Sequence, residues 1–285
     1  MKAVLVNGRI SAASLARYRH FPSFFAGLFN SFTFLAMQTG AEVENLAGLG
    51  VAPRKLLALG NLKYGALVEG LGQGQEGGRF AGLLRQLAGR TVWVAGSTHP
   101  GEEELLLRAY LGLRNLFPEL YLVLAPRNPG RAGELARLAE RFGLRAELRS
   151  RQSNSPGDLL LLDTMGELAQ LYGHGELAFV GGSLVEERGH NPLEPAAFGR
   201  PVLFGPHMED FAEIAEEMLA AGAALLINDE AEMAAAVSGW LADPEGRRAA
   251  GRKGAELVEA RRGVTERHLG LLRLLLDGKG ENEFR

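Results

Sequence analysis

Cysteine is absent from the 285 residues of this sequence, which excludes disulfide bonds and thiolate metal ligands. No apolar run approaches the ~18 residues that a membrane-spanning helix needs. The first residues, MKAVLVNGRI, lack the long apolar region of a signal peptide. The formal net charge of -3 provides no basic excess for nucleic acid. We therefore expect a cytoplasmic protein with no nucleic-acid partner.

Several catalytic motifs are missing as well. There is no G-x-x-x-x-G-K-[ST] for a nucleoside-triphosphate hydrolase and no G-x-S-x-G for a hydrolase elbow. No G-x-G-x-x-G follows the first strand-like run, which weakens a dinucleotide-binding interpretation. The histidines and acidic residues show no spacing typical of metal ligands, so we expect no metal.

Short aliphatic runs alternate along the chain with longer amphipathic segments. Such runs suit strands buried on both faces, and their alternation with helices predicts a parallel, doubly wound α/β sheet. Six runs between Thr91 and Asn228 predict one Rossmann-like domain. The predicted strands are Ala3–Asn7, Phe34–Gln38, Thr91–Ala95, Leu120–Pro126, Leu159–Asp163, Leu177–Gly182, Pro201–Gly205 and Ala224–Asn228. The predicted helices include Glu102–Phe117, Arg131–Phe142, Met165–Tyr172, Asp210–Ala221 and Thr265–Leu276.

The N-terminal part differs from this pattern. Residues 1–50 carry two strand-like runs and two helical patterns, too little for a domain with its own core. The stretch Gly70–Gly78 has the composition of a flexible linker. We therefore divide the chain into part of an N-terminal lobe (1–60), a linker and helix (61–88), a C-terminal domain (89–263), and a C-terminal helix and tail (264–285).

The segment Leu15–Phe34 mixes two arginines and a histidine with six phenylalanines and a tyrosine. It could lie at a membrane surface. Packing of an aromatic helix into a core or a partner lobe is favoured over this, and Pro22 interrupts a continuous amphipathic face.

The run from Phe179 to Pro206 predicts a strand, a loop, a helix and a second strand. Gly181 and Gly182 end the first strand, where a missing Cβ lets a ligand or the backbone come close. Asn191, Pro192 and Glu194 suit the N-cap, N1 and N3 positions of the helix, whose free amides favour an anion such as phosphate. Glu194 either accepts from two ribose hydroxyls or only completes the cap. His190 either contacts the ligand or supports a residue that does.

A second strand end has the same design. Thr164, Met165, Gly166 and Glu167 predict a T-x-x-E capping box that opens the next helix and leaves the Gly166 amide uncovered. Alone, this is more typical of a structural helix start. It gains weight because we expect Leu159–Asp163 to lie next to Leu177–Gly182, at the sheet edge where ligands bind.

Two further strand ends carry anion-friendly groups. Ser97 and Thr98 follow one strand, and their hydroxyls suit a carboxylate or a phosphate. Pro126 and Arg127 end another, where an arginine can pair with phosphate in a bidentate way. A surface salt bridge would explain Arg127 alone. Four such ends on one edge favour an anion-binding site.

Six segments together resemble the Kdo transferases, the 3-deoxy-D-manno-octulosonic acid transferases of lipopolysaccharide synthesis. They stand in family order and cover most of Val4–Gly222. The segments are VLVNGRISAASLARYRHF, LGNLKYG, AGSTHPGEEELLL, LVLAPRNPGR, LLLLDTMGELAQLY and GGSLVEERGHNPLEPAAFGRPVLFGPH. The resemblance implies an α/β fold of GT-B type, with one complete Rossmann-like C-terminal lobe and the last part of an N-terminal one.

The resemblance also implies a function. The C-terminal lobe would bind the donor substrate CMP-Kdo, or CMP, without a cofactor, and the N-terminal lobe would bind a lipid A precursor. The location would be cytoplasmic, peripheral to the inner membrane through the missing part of the N-terminal lobe. The residues matched to the donor contacts are Pro126, Arg127, Met165, Gly166, Glu167, Asn191, Pro192, Leu193 and Glu194. Ser97, Thr98, Gly182 and His190 are possible additions.

Two features depart from the family. Asn128 stands where relatives usually have a histidine after the arginine, so the role of that histidine is in doubt here. Family chains begin well over a hundred residues earlier, and that part holds the glutamate that resembles the catalytic base. We therefore expect no catalytic base in this chain and donor binding with little or no transfer.

Other interpretations stay open from the sequence. In the first interpretation, the chain is a fragment of a Kdo transferase or the product of a misplaced gene start. It could also be a transferase whose acceptor lobe comes from another chain, a non-catalytic nucleotide-binding module, or a Rossmann-like domain of another kind such as a sugar-nucleotide epimerase. The DNA upstream of Met1 separates the first two.

Overall fold

The computed structural model describes residues 2–69, 78–151 and 157–276. Contacts divide the chain into two compact units, one of Met1–Gly70 with Ala260–Arg285 and the other of Leu71–Glu259. The strands are β1 (Val4–Gly8), β2 (Phe34–Met37), β3 (Leu56–Ala58), β4 (Thr91–Thr98), β5 (Leu120–Pro126), β6 (Ala146–Leu148), β7 (Leu159–Leu161), β8 (Leu177–Val180), β9 (Val202–Phe204) and β10 (Ala224–Leu226). The helices are α1 (Ala12–Arg19), α2 (Pro22–Asn30), α3 (Gly40–Gly48), α4 (Leu62–Glu69), α5 (Gly78–Leu87), α6 (Glu102–Arg114), α7 (Ala132–Arg141), α8 (Leu168–His174), α9 (Leu193–Ala197), α10 (Ala212–Ala221), α11 (Glu230–Ala242), α12 (Pro244–Glu259) and α13 (Val264–Leu276).

The first unit contains a three-stranded parallel sheet in the order β1-β2-β3. The central strand β2 is buried on both faces. Leu35 and Met37 belong to the core on one side, while Phe34 and Ala36 pack with Leu271 of α13 on the other. The alternation follows from the two-residue period of a strand. The predicted C-terminal helix thus completes the core of this unit.

The aromatic segment of the first unit forms two helices rather than one. Pro22 is the first residue of α2, where a proline loses no hydrogen bond, and the chain turns there. The Tyr18 ring contacts Phe25 and Phe29 on the side that packs toward the core. The interruption expected at Pro22 is confirmed, and the segment is only partly buried.

The second unit is a seven-stranded, all-parallel sheet in the order β10-β9-β8-β4-β5-β7-β6. Helices cover both faces, as parallel sheets require. Trp93 and Phe179 lie in the core under α6, α7 and α11, whereas Val94 and Tyr121 face α5 and α8. The predicted α/β fold with Rossmann-like, parallel sheets is confirmed. The linker predicted at Gly70–Gly78 lies, apart from Gly78, outside the described residues.

Two strands escaped the sequence analysis. The strands β3 and β6 are three residues each, and neither contains a β-branched or aromatic residue. The second unit therefore has seven strands instead of the six predicted. Sheet order also corrects one expected neighbour: β7 pairs with β5 and β6, while β8 pairs with β4 and β9.

Candidate functional site

The four strand ends singled out by the sequence lie side by side. Their strands, β8, β4, β5 and β7, are consecutive in the sheet and all parallel, so their carboxyl ends share one edge. In open α/β sheets this edge, near the point where the strand order reverses, is where ligands bind. Although β7 and β8 are not neighbours, the shared edge that we predicted is present.

The loop after β8 comes very close to the end of β4. A Cβ on Gly181 would lie 2.6 Å from the Thr98 Cα and would also meet the Ser97 carbonyl oxygen. Gly182 has a φ of 69°, and a Cβ there would lie 3.2 Å from the His190 ring. Both glycines are therefore needed for backbone packing and conformation.

The backbone amides of this loop point at a carboxylate of the protein itself. Glu102, the first residue of α6, is fully buried. Its Oε2 accepts from the amides of His99 (2.9 Å) and Gly182 (2.8 Å). Its Oε1 accepts from the amides of Ser183 and Leu184, both at 3.0 Å. The sequence analysis missed Glu102, because a glutamate in the first turn of a helix usually serves only the helix dipole.

Two histidines meet beside this loop. The Nε2 atoms of His99 and His190 are 2.8 Å apart and the rings are stacked, with their centroids at 5.1 Å. Burial lowers the pKa of His190 to about 4, with the neighbouring His99 and the positive charge of Arg127 adding to the effect. His190 is therefore neutral at pH 7, and one ring donates to the other.

Arg127 lies at the next strand end. Pro126 is buried as the last residue of β5, and the Arg127 amide donates to the Thr98 carbonyl at 2.9 Å. The Arg127 side chain is exposed. Its charge lowers the pKa of both His190 and Glu194. These three predicted site residues are thus coupled electrostatically at this edge of the sheet.

The helix that carries Glu194 starts one residue later than predicted. The helix α9 spans Leu193–Ala197 with Pro192 before it, and the Asn191 Oδ1 accepts from the Leu193 amide at 3.1 Å. The predicted capping box is wrong. Pro192, the residue before the helix, has no side chain that can cap it, and Glu194 is the second residue of the helix instead of the third. Burial raises the pKa of Glu194, while a hydrogen bond from Asn191 and the charge of Arg127 oppose the rise.

The turn after β7 also differs from the prediction. The helix α8 begins at Leu168, so Thr164 opens a turn and not a capping box. Gly166 has a φ of 84°, which a helix cannot contain. Glu167 accepts from Arg149 at 2.7 Å and from the Thr164 hydroxyl. Met165 projects into solvent with 74% of its surface exposed.

The two hydroxyl residues predicted to follow a strand are in fact the last two residues of β4, and they have different surroundings. Thr98 is fully buried, and its hydroxyl donates to Glu103 at 3.2 Å. Glu103 in turn accepts from Arg131 at 2.7 Å. Ser97 is half-buried and adopts a φ of 56°, in the left-handed region that side chains rarely occupy. The structure thus gives Thr98 a packing contact and leaves Ser97 nearer the surface.

The site combines one exposed cation, one half-buried carboxyl group and one neutral imidazole. A guanidinium suits phosphate, and a carboxylate suits a pair of hydroxyl groups. Over residues 2–69, 78–151 and 157–276, no group of three or more histidine and acidic side chains is placed to hold a metal ion. Within the same ranges, no helix is long and apolar enough to cross a membrane.

Comparisons with known proteins point in one direction. A family model described as 3-deoxy-D-manno-octulosonic-acid transferase (kdotransferase) matches residues 1–66. The 3-deoxy-D-manno-octulosonic acid transferase of Haemophilus influenzae is 36% identical over 279 residues, which are 96% of this chain and 64% of the relative. By sequence, the chain is similar to the Kdo transferases over almost its whole length. The Aquifex aeolicus Kdo transferase is 32% identical over 72% of this chain and 53% of its own length.

Solved structures support the same relationship for the second unit. The C-terminal CMP-Kdo binding domain of WaaA from Acinetobacter baumannii is 28% identical, with a TM-score of 0.57. The match covers 63% of this chain and 98% of that domain. A UDP-N-acetylglucosamine 2-epimerase aligns over 96% of this chain and 65% of its own, with a TM-score of 0.54 and 16% identity. At that identity the likeness shows the fold alone. This chain spans 64% of the length of the Haemophilus influenzae relative and 53% of that of the Aquifex aeolicus relative.

Proposed function

We propose that the second unit of this Kdo transferase relative binds the CMP part of CMP-Kdo. The observation that carries the proposal is that Arg127 follows β5 while His190 and Glu194 follow β8, at one edge of the sheet, and that the charge of Arg127 acts on both of the other groups. The similarity to a CMP-Kdo binding domain over 98% of that domain adds the nature of the ligand.

Each group has a role that follows from its surroundings. The exposed Arg127 guanidinium pairs with the donor phosphate, and the Glu194 carboxylate accepts from the two ribose hydroxyls. Met165 and the Gly166 turn lie at the same sheet edge and border the nucleoside, while Glu167 is held by Arg149 and supports that turn. Pro126, Asn191, Pro192 and Leu193 shape the backbone around these groups. The cytosine base is inferred from similarity alone.

The reaction that we propose for the whole protein is transfer of Kdo from CMP-Kdo to a lipid A precursor, without a cofactor or a metal. Sugar transfer needs a base at the acceptor hydroxyl and charge stabilisation at the leaving phosphate. Arg127 provides the second. None of the residues matched to the donor contacts fits the first role, so we propose that this polypeptide alone binds the donor without transferring Kdo.

The test of donor binding is thermal unfolding of the 285-residue chain with nucleotides. CMP at millimolar concentration is expected to raise the melting temperature, whereas UMP and AMP at the same concentration raise it less. The Arg127→Ala variant removes the proposed phosphate partner at an exposed position. CMP should therefore raise the melting temperature of this variant less than that of the original chain. An absent CMP shift, or equal shifts with all three nucleotides, would contradict the proposal.

We propose in addition that α1 and α2 of the first unit contact the inner membrane. Phe21 and Phe24 are each 68% exposed and Leu28 is 47% exposed, and Arg17 and Arg19 are exposed beside them. Apolar side chains flanked by basic ones bind anionic lipid surfaces. The chain should co-sediment with vesicles containing phosphatidylglycerol, and Phe21→Ser with Phe24→Ser should reduce this. Leu116→Ser, at an equally exposed leucine of the second unit, is the control; an equal reduction there contradicts the proposal.

A further inference from the structure

The buried Glu102 carboxylate lies near the site, and the donor-binding proposal gives it no role. Its two oxygens accept four hydrogen bonds of 2.8 to 3.0 Å from the backbone amides of His99, Gly182, Ser183 and Leu184. Successive backbone amides that converge in this way form an anion-binding concavity. A phosphate or a carboxylate from a ligand would fit the same concavity if Glu102 were absent.

Glu102 joins two loops that belong to different strands. The His99 amide lies after β4, and the other three amides lie after β8. Ser183 extends the junction to β9, because its hydroxyl donates to the Val180 carbonyl and accepts from the Gly205 amide. Three neighbouring strand ends are thereby fixed relative to one another around one carboxylate.

The same carboxylate determines where the two histidines lie. Oε2 holds the backbone of His99 on one side and the backbone of Gly182 on the other. The His190 ring packs on Gly182, so closely that a Cβ at Gly182 would lie 3.2 Å away, and it pairs with the His99 ring. A displacement of either loop would separate the two rings.

We propose that Glu102 is a positioning residue, a built-in anion that closes the amide concavity between β4 and β8 and holds the His99–His190 pair. The donor phosphate is thereby excluded from these amides and directed to the exposed Arg127. This second clause rests on the proposed function. The first depends only on the hydrogen bonds of Glu102.

The first test removes the carboxylate and offers a substitute. The Glu102→Ala variant is expected to melt at a lower temperature than the original chain, and sodium acetate is expected to restore at least about half of that loss by occupying the vacated amides. Sodium chloride at the same ionic strength should not. Glu104→Ala is the matched control, because Glu104 lies in the same helical turn but pairs with Arg108 at the surface. Equal acetate effects on both variants overturn the first clause.

The second test uses Glu102→Gln, which keeps the shape but loses an acceptor for two amides. We expect the His190 pKa, measured by NMR, to rise from about 4 toward its ordinary value, because the rings separate and water reaches His190. The CMP dissociation constant should rise about tenfold. If Glu102→Gln folds and its His190 pKa is unchanged, the positioning role is overturned. The same conclusion follows if neither Glu102→Ala nor Glu102→Gln folds even in acetate. If the original chain does not bind CMP, the proposed function fails, while the acetate and NMR results still decide the role of Glu102.

Discussion

Replacing Glu194 with glutamine separates the two roles that its position in the chain suggests. The side chain makes no capping box, so its charge is not needed to start α9. Burial raises the Glu194 pKa, which means that the ionised carboxylate is less favourable in the folded protein than in water. If Glu194 serves the ligand, Glu194→Gln should weaken CMP binding and leave the fold intact.

The pH dependence of stability follows from the direction of the pKa shift. A carboxyl group with a raised folded pKa contributes stability below its unfolded pKa and loses it as the pH rises through the folded value. At pH 7 the charge of Glu194 is therefore a net cost. We expect Glu194→Gln to melt at the same temperature as the original chain or higher at pH 7, with the difference disappearing near pH 4.

The loss of affinity can be bounded from the hydrogen bonds involved. A hydrogen bond to a charged group contributes about 1.5–3 kcal/mol, which corresponds to roughly a 10- to 150-fold rise in the CMP dissociation constant. Calorimetry with CMP and with 2′-deoxy-CMP tests the ribose contact directly. The original chain should bind the deoxy nucleotide more weakly, whereas Glu194→Gln should discriminate much less between the two.

The control for charge alone is Glu186→Gln, at an exposed position of the preceding loop. It should bind both nucleotides as the original chain does. Unchanged CMP affinity in Glu194→Gln, or unchanged discrimination against the deoxy nucleotide, refutes the ribose role. A melting temperature well below that of the original chain at pH 7 refutes the reasoning about burial.

Three further outcomes are expected. Arg127→Gln should raise the His190 pKa above about 4, seen by NMR, because a neighbouring cation is lost; an unchanged value means that the two groups are not close. Gly181→Ala should destabilise the fold by about 1–3 kcal/mol in urea, because its Cβ meets the backbone at the end of β4, whereas Gly112→Ala, with open space around it, should not; equal effects contradict the packing argument. The 285-residue chain should transfer no Kdo to a lipid A precursor, and measurable turnover contradicts the proposal that this polypeptide alone binds the donor without transferring Kdo.

His190 also contributes to the pH dependence of the stability of the fold. Its folded pKa of about 4 lies below the ordinary value, so its contribution to stability is present above pH 6.5 and is lost as the pH falls toward 4. The direction is opposite to that of Glu194. The two groups therefore predict opposite slopes in the same pH range, which single variants can separate.

Much of the second unit was predictable from local pattern. The aliphatic run Leu120–Pro126 coincides with β5, and six of the seven strands of that sheet were predicted within a few residues. A long run buried on both faces leaves a clear signal, whereas the three-residue β6, which contains a glutamate, does not. The relationship to Kdo transferases was also readable from segments that include Arg127 and Glu194.

What the sequence determined by itself was the order of most strands and helices, the similarity to Kdo transferases, and which residue types stand at the strand ends. Tertiary structure alone decided which of those residues meet. Strand pairing placed β7 beside β5 instead of β8, and a positive φ at Gly166 delayed α8. Strand pairing depends on contacts between residues that are far apart in the sequence. The sequence predicted anion-binding amides at the start of α9, but only the fold shows that Glu102, 80 residues before Gly182 along the chain, binds the amides of the loop that precedes that helix.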